Sequence, residues 1–121
     1  METSTRNPGH VHRSTSAWAV MATFDVKEGC EEEWSRLVQD VIDAMRHEKT
    51  FISTSMCARP DEPSKYLLFE VWESREEFFA TQVNREYRRP LMERLPELTR
   101  APATFDEWTE IRADYATPGR R

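Results

Sequence analysis

Glu70 and Trp72 stand two residues apart in the run Tyr66-Leu-Leu-Phe-Glu-Val-Trp-Glu-Ser74, which reads as a β-strand. Side chains on a strand alternate faces, so this carboxylate and this indole share one. A carboxylate held beside an indole away from water has a raised pKa and can act as a general base; the alternative is a structural ion pair. Trp72 is correspondingly a pocket wall or a packing residue. Cys57 has no basic neighbour in sequence to lower its pKa, which makes it a small filler rather than a nucleophile. His47 falls at the end of a helical pattern, where a cap or dipole partner is the ordinary role. His10 and His12 form only a weak pair for a metal. The sequence holds no Ser-His-Asp order, phosphate-cradling glycine loop or His-x-x-x-His pair, so neither a metal nor a nucleotide cofactor is expected.

The elements that must position these residues follow from periodicity. Trp18 to Val26 alternates as a first strand, with Val20, Ala22, Phe24 and Val26 on one face. After the turn Lys27-Glu-Gly29, the acidic Glu31-Glu-Glu33 suits the start of a helix. Its apolar stripe is Trp34, Leu37, Val38, Val41, Ile42 and Met45. Phe51 to Ala58 reads as a second strand, and Arg59 to Ser64 as a loop. The strand carrying Glu70 comes next. Leu67, Phe69 and Val71 give it a wholly apolar face opposite Tyr66, Leu68, Glu70 and Trp72, as befits a central strand covered on both sides. Ser74-x-x-Glu77 is a capping-box pattern that opens a helix running to about Tyr87. A second helical piece spans Pro90 to Leu98, and Thr104 to Arg112 is the last strand.

The order β-α-β-β-α-β predicts an α+β, ferredoxin-like domain over residues 17–113. Residues 1–16 read as a disordered leader and 114–121 as a flexible tail. Helices on one side of such a sheet leave its other face needing a cover, which points to a homodimer whose interface includes Phe105, Trp108 and Ile111. The 121 residues suit one domain, and a net charge of −5 argues against a nucleic-acid partner. The densest basic group, Arg85, Arg88 and Arg89, is a solvated helix face or a binding site. No apolar run is long enough to span a membrane, and two cysteines do not make a disulfide framework. A cytoplasmic protein is expected.

Phe24-Asp-Val-Lys-Glu-Gly-Cys-Glu-Glu-Glu-Trp34, the loop Arg59-Pro-Asp-Glu-Pro-Ser-Lys-Tyr66 and Leu68-Phe-Glu-Val-Trp-Glu-Ser74 together resemble the antibiotic biosynthesis monooxygenase superfamily. The likeness runs from about residue 18 to 112. It implies a dimeric α/β barrel with a pocket in each protomer between sheet and helices. It also implies oxidation of an aromatic, polyketide- or quinol-like substrate by O2 without a cofactor. Trp72 matches the Trp of the polyketide-oxidising branch, and Arg89 falls near that branch's helix Arg, where it would neutralise a phenolate. With Glu70 these form the expected catalytic set. The branch's strand Asn, helix Tyr and strand His correspond here to Leu68, Phe78 and Cys57. The His that many relatives place nine residues after the Trp is Thr81, beside Gln82. These five residues are the expected substrate-binding positions. Ala22 stands where haem-degrading relatives carry an Asn, which argues against haem ligation. The rival implication, favoured by Leu68 and Phe78, is a non-oxidative barrel: a cyclase, an isomerase or a ligand-binding module.

Overall fold

A computed structural model describes residues 10–14, as backbone, and 16–116. Four strands form one antiparallel sheet: β2 (Trp18–Asp25), β3 (Phe51–Arg59), β4 (Glu62–Trp72) and β5 (Thr104–Thr109), in the order β3-β4-β2-β5. α1 (Glu31–Met45), α2 (Arg75–Ala80) and α3 (Arg89–Leu98) complete the predicted α+β, ferredoxin-like pattern. β4 is central, paired with β3 on one side and β2 on the other.

The expected α1 stripe packs the helix to the sheet: Trp34, Leu37, Val38, Val41 and Met45 are buried against Val20, Ala22, Phe24 and Leu68. Trp34 stacks on Tyr66 with ring centroids 4.4 Å apart. Gly29, at φ +90°, supplies the left-handed turn into α1 that a side chain would strain. The helices lie on the face of β4 that carries Tyr66, Leu68 and Trp72. Its other face is not covered as the sequence suggested. Val71 is buried in a small group with Ala17, Ala19 and Ile52, while Phe69 stays exposed. On β5, Trp108, in register with Ala19 on this face, is 58% exposed, whereas Phe105, in register with Ala22, is 66% exposed on the other face; Ile111 just beyond the strand is 80% exposed.

Three element boundaries differ from expectation. The helix opened by Ser74 ends at Ala80, and residues 81–88 form two single 3-10 turns, Gln82–Asn84 and Glu86–Arg88, around an extended Arg85. Thr81, Val83 and Asn84 are all poor helix formers, and together they stop it. β4 begins at Glu62, so the predicted loop shrinks to a tight hairpin at Pro60-Asp61. The last strand breaks after Thr109 and resumes as β6 (Arg112–Ala116). β6 pairs with β1 (His10–Ser14), a stretch expected to belong to a disordered leader. That ladder rests on backbone pairing, which composition does not report. The remaining expected tails, 1–9 and 117–121, lie outside the described residues.

The capping pattern at Ser74 is realised: the Glu77 backbone N–H donates to Ser74 Oγ at 3.1 Å. This bond fixes where α2 begins and therefore where Phe78 enters the core. Ser74→Ala should cost about 1 kcal/mol of stability, read as a lower urea midpoint at unchanged m-value.

Candidate functional site

Strand parity places Glu70 and Trp72 together on the helix-covered face of β4. The Trp72 Nε1–H donates to Glu70 Oε1 at 2.9 Å. Glu70 is 8% exposed. Burial pushes its carboxyl above the ordinary value of 4.5, while the indole hydrogen bond and the charge of Arg88 pull the other way without cancelling it. Across the sheet Glu70 faces Val20 on β2 and Thr54 on β3. The Thr54 hydroxyl is buried with no hydrogen-bond partner.

An aromatic box surrounds the pair. Trp72 lies between Phe51 at 5.3 Å and Phe78 at 5.1 Å, and Phe78 also meets Trp18 at 4.8 Å. Arg88 closes the box from residues 81–88. Its guanidinium sits 5.4 Å from the Phe78 ring centroid, its Nε donates to the Gln82 carbonyl at 2.8 Å, and one terminal nitrogen lies 3.7 Å from Met45 Sδ. Among the described residues Arg88 has no carboxylate partner. Its guanidinium is instead surrounded by the Gln82 carbonyl, the Met45 sulfur and the rings of Phe78 and Tyr87.

The residues singled out in the sequence divide accordingly. Glu70, Trp72, Leu68 and Phe78 meet in this interior. Gln82 is buried beside it, with its Nε2 donating to Glu77 Oε2 at 2.9 Å and its Oε1 unpartnered. Thr81 is half-buried at the end of α2. Arg89 is not brought to the site: it is exposed and pairs with Glu86 at 2.8 Å. Cys57 is exposed on the opposite sheet face, in register with Leu67. It lines a cleft of about 690 Å³ with Met21, Thr104 and Leu67, which does not reach Glu70. The side chains of His10 and His12 lie outside the described residues. No group of three or more His, Cys, Asp or Glu residues is placed to hold a metal among the described residues.

Arg88 and Thr54 escaped the sequence reading. Arg88 was visible only as one of a basic group, and its inward direction depends on the break at residue 81. Thr54 needed the β3–β4 register, which a bulge between Phe51 and Ser53 shifts.

The buried carboxyl sets a pH dependence. Its folded pKa exceeds its unfolded one, so the native state binds the extra proton and stability falls as pH rises from 4.5 toward the folded value. The slope there is about 1.4 kcal/mol per pH unit. Glu70→Gln keeps the acceptor for Trp72 and removes this loss. It should raise the melting temperature at pH 8 and leave it nearly unchanged at pH 4; equal shifts at both would contradict the assignment.

Residues 17–90 match the family model of the antibiotic biosynthesis monooxygenases. Among solved structures, Rv0793 from Mycobacterium tuberculosis is similar at 20% identity and a TM-score of 0.72, over 79% of this chain and 96% of that one. PA3566 from Pseudomonas aeruginosa aligns at 13% identity and a TM-score of 0.73, over 82% and 98%. A structure described as an antibiotic biosynthesis monooxygenase aligns at 15% identity and 0.70, over 78% and 98%. No curated protein matches significantly. The family match covers more than half of the sequence, from the first core strand through the start of the third helix, and so the chain belongs to the antibiotic biosynthesis monooxygenase family.

Proposed function

We propose that the chain is a cofactor-independent monooxygenase of an electron-rich aromatic substrate, a phenol, quinol or anthrone, with Glu70 as base and Arg88 as counter-charge. One observation carries the reading: a buried carboxyl of raised pKa shares an aromatic box with an arginine that forms no salt bridge among the described residues. Burial makes Glu70 a stronger base, and the Trp72 N–H fixes its carboxyl. For an anthrone, Glu70 takes a proton from the ring CH2, and the negative charge moves to the enolate oxygen, toward Arg88. The enolate passes one electron to O2; the two radicals combine, and the hydroperoxide loses water to leave C=O. The sum, CH2 + O2 → C=O + H2O, needs no outside reductant. Arg88 thus takes the role that the sequence suggested for Arg89. Thr81 and Gln82 follow α2 beside the box, whereas Cys57 belongs to the opposite face.

Arg88→Ala should lower O2 consumption with anthrone about a hundredfold to a thousandfold. Arg89→Ala, which breaks only an exposed pair, should leave it within about twofold. Glu70→Gln should abolish the rise of rate with pH. The test is oxygen-electrode turnover over a panel of phenols, quinols and anthrones. If wild type consumes no O2 with any of them yet binds polycyclic aromatics by tryptophan quenching, the second reading replaces the first. That reading, a non-oxidative binding or cyclase barrel, is favoured by Leu68 and Phe78, which fill the box with hydrocarbon.

The same reading makes the protein a homodimer that packs two open sheet faces, where Phe69 and Trp108 are exposed in one copy. Light scattering at micromolar concentration should give twice the chain mass, and Trp108→Glu should halve it. A monomeric wild type would rule the assembly out. Two free cysteines suit a reducing compartment such as the cytoplasm. No described helix is long and apolar enough to cross a membrane.

A further inference from the structure

The polar contacts of residues 81–88 converge on one side chain outside the site. Glu48, in the turn after α1, accepts from the Tyr87 hydroxyl at 2.9 Å and from Arg85 at 3.0 Å. Burial opposes ionisation of Glu48, but these two hydrogen bonds, the charge of Arg85 and the nearby Gln82 amide outweigh it and hold its carboxyl below the usual value. Burial and the bond to Glu48 push the Tyr87 hydroxyl up to about 12, so it remains a donor. Apart from the buried Gln82 and from Tyr87 packed at the core's edge, the segment is exposed or half-buried. Its two 3-10 turns have poor hydrogen-bond geometry, and Arg85 between them is extended. At its start, Gln82 reaches the Glu77 carboxylate, whose other oxygen accepts from Thr50. At its end, Arg88 reaches in over Phe78 toward Glu70.

Glu70 and Trp72 are buried, and neither of the two described clefts reaches them. β4 beneath the pair and α1 beside it both carry buried side chains of the main core. An aromatic ligand cannot enter through them without unmaking the core. We infer that residues 81–88 are a strap over the Glu70–Trp72 site, latched by the Glu48 carboxylate to Arg85 and Tyr87, and that its release admits the aromatic ligand. This deepens the functional reading above and rests on it for the ligand. Glu48 touches no reacting atom. It is a positioning residue, acting through Arg85 and Tyr87 on the segment that ends in Arg88. A latch made of charge-assisted hydrogen bonds can open locally without loss of the core.

Hydrogen exchange by mass spectrometry on the full chain, with Glu48→Gln and separately Tyr87→Phe, tests the latch. Loss of a charge-assisted bond should speed exchange in 81–88 about tenfold in each variant while α1 and β4 keep their protection. No change in 81–88, or a rise spread equally over α1 and β4, would overturn the strap. Stopped-flow tryptophan quenching by anthrone tests what it gates. Association should be faster in Glu48→Gln than in wild type, with a smaller change in equilibrium affinity. Faster exchange with unchanged association would show that the segment opens without being the way in, and would end the gating role. Failure of wild type to bind anthrone at all would count against the proposed substrate class; the strap would then stand or fall by the exchange result.

Discussion

One buried carboxylate near the end of a central strand sets the terms for everything around it. An ionised side chain in an apolar interior is costly unless compensated, and Glu70 has only the Trp72 N–H and a cation at a distance. Those two partners come from different parts of the chain. Trp72 is delivered by the pleat of β4, two residues on. Arg88 comes from the 3-10 turn that follows the early end of α2, and its guanidinium lies over Phe78. The brevity of α2 is therefore part of the site's construction. A helix continued to Tyr87 would carry Arg88 at a different height and rotation.

The helical layer divides its labour in the same way. α1 fills the core with a regular stripe and holds the sheet. Phe78, set by the Ser74 cap, forms the wall between sheet and solvent and meets Trp18, Trp72 and Arg88 together. Hydrocarbon and charge meet at that ring. The polar atoms left unpaired nearby, the Thr54 hydroxyl and the Gln82 side-chain oxygen Oε1, are hydrogen-bonding groups rather than bare hydrocarbon. Burying such groups unpaired costs free energy that an apolar lining would not.

Period and parity were legible without coordinates. The α1 stripe, the central position of β4, the pairing of Glu70 with Trp72 and the Ser74 cap all follow from spacings of two, three and four residues, which local geometry dictates. Long-range information was not legible. Which face of β4 the helices cover depends on the handedness of the whole βαβ connection, and the wholly apolar face proved to be the open one. Arg89 and Arg88 are adjacent in sequence, and only the break at Thr81 decides which points inward. The β1–β6 ladder is backbone pairing between distant segments and leaves little trace in side-chain pattern. The resemblance to relatives carried a helix position across a stretch where this chain is not helical.

Cys57 has a practical consequence. It is an exposed thiol on the open face of the sheet, whereas Cys30 is half-buried at the start of α1. A bulky maleimide would therefore attach first where a second copy is expected to sit, on the far side of the sheet from Glu70. Such an adduct is a chemical wedge. It would separate protomers while leaving the aromatic box untouched, so whatever the isolated chain does could be measured apart from what assembly adds.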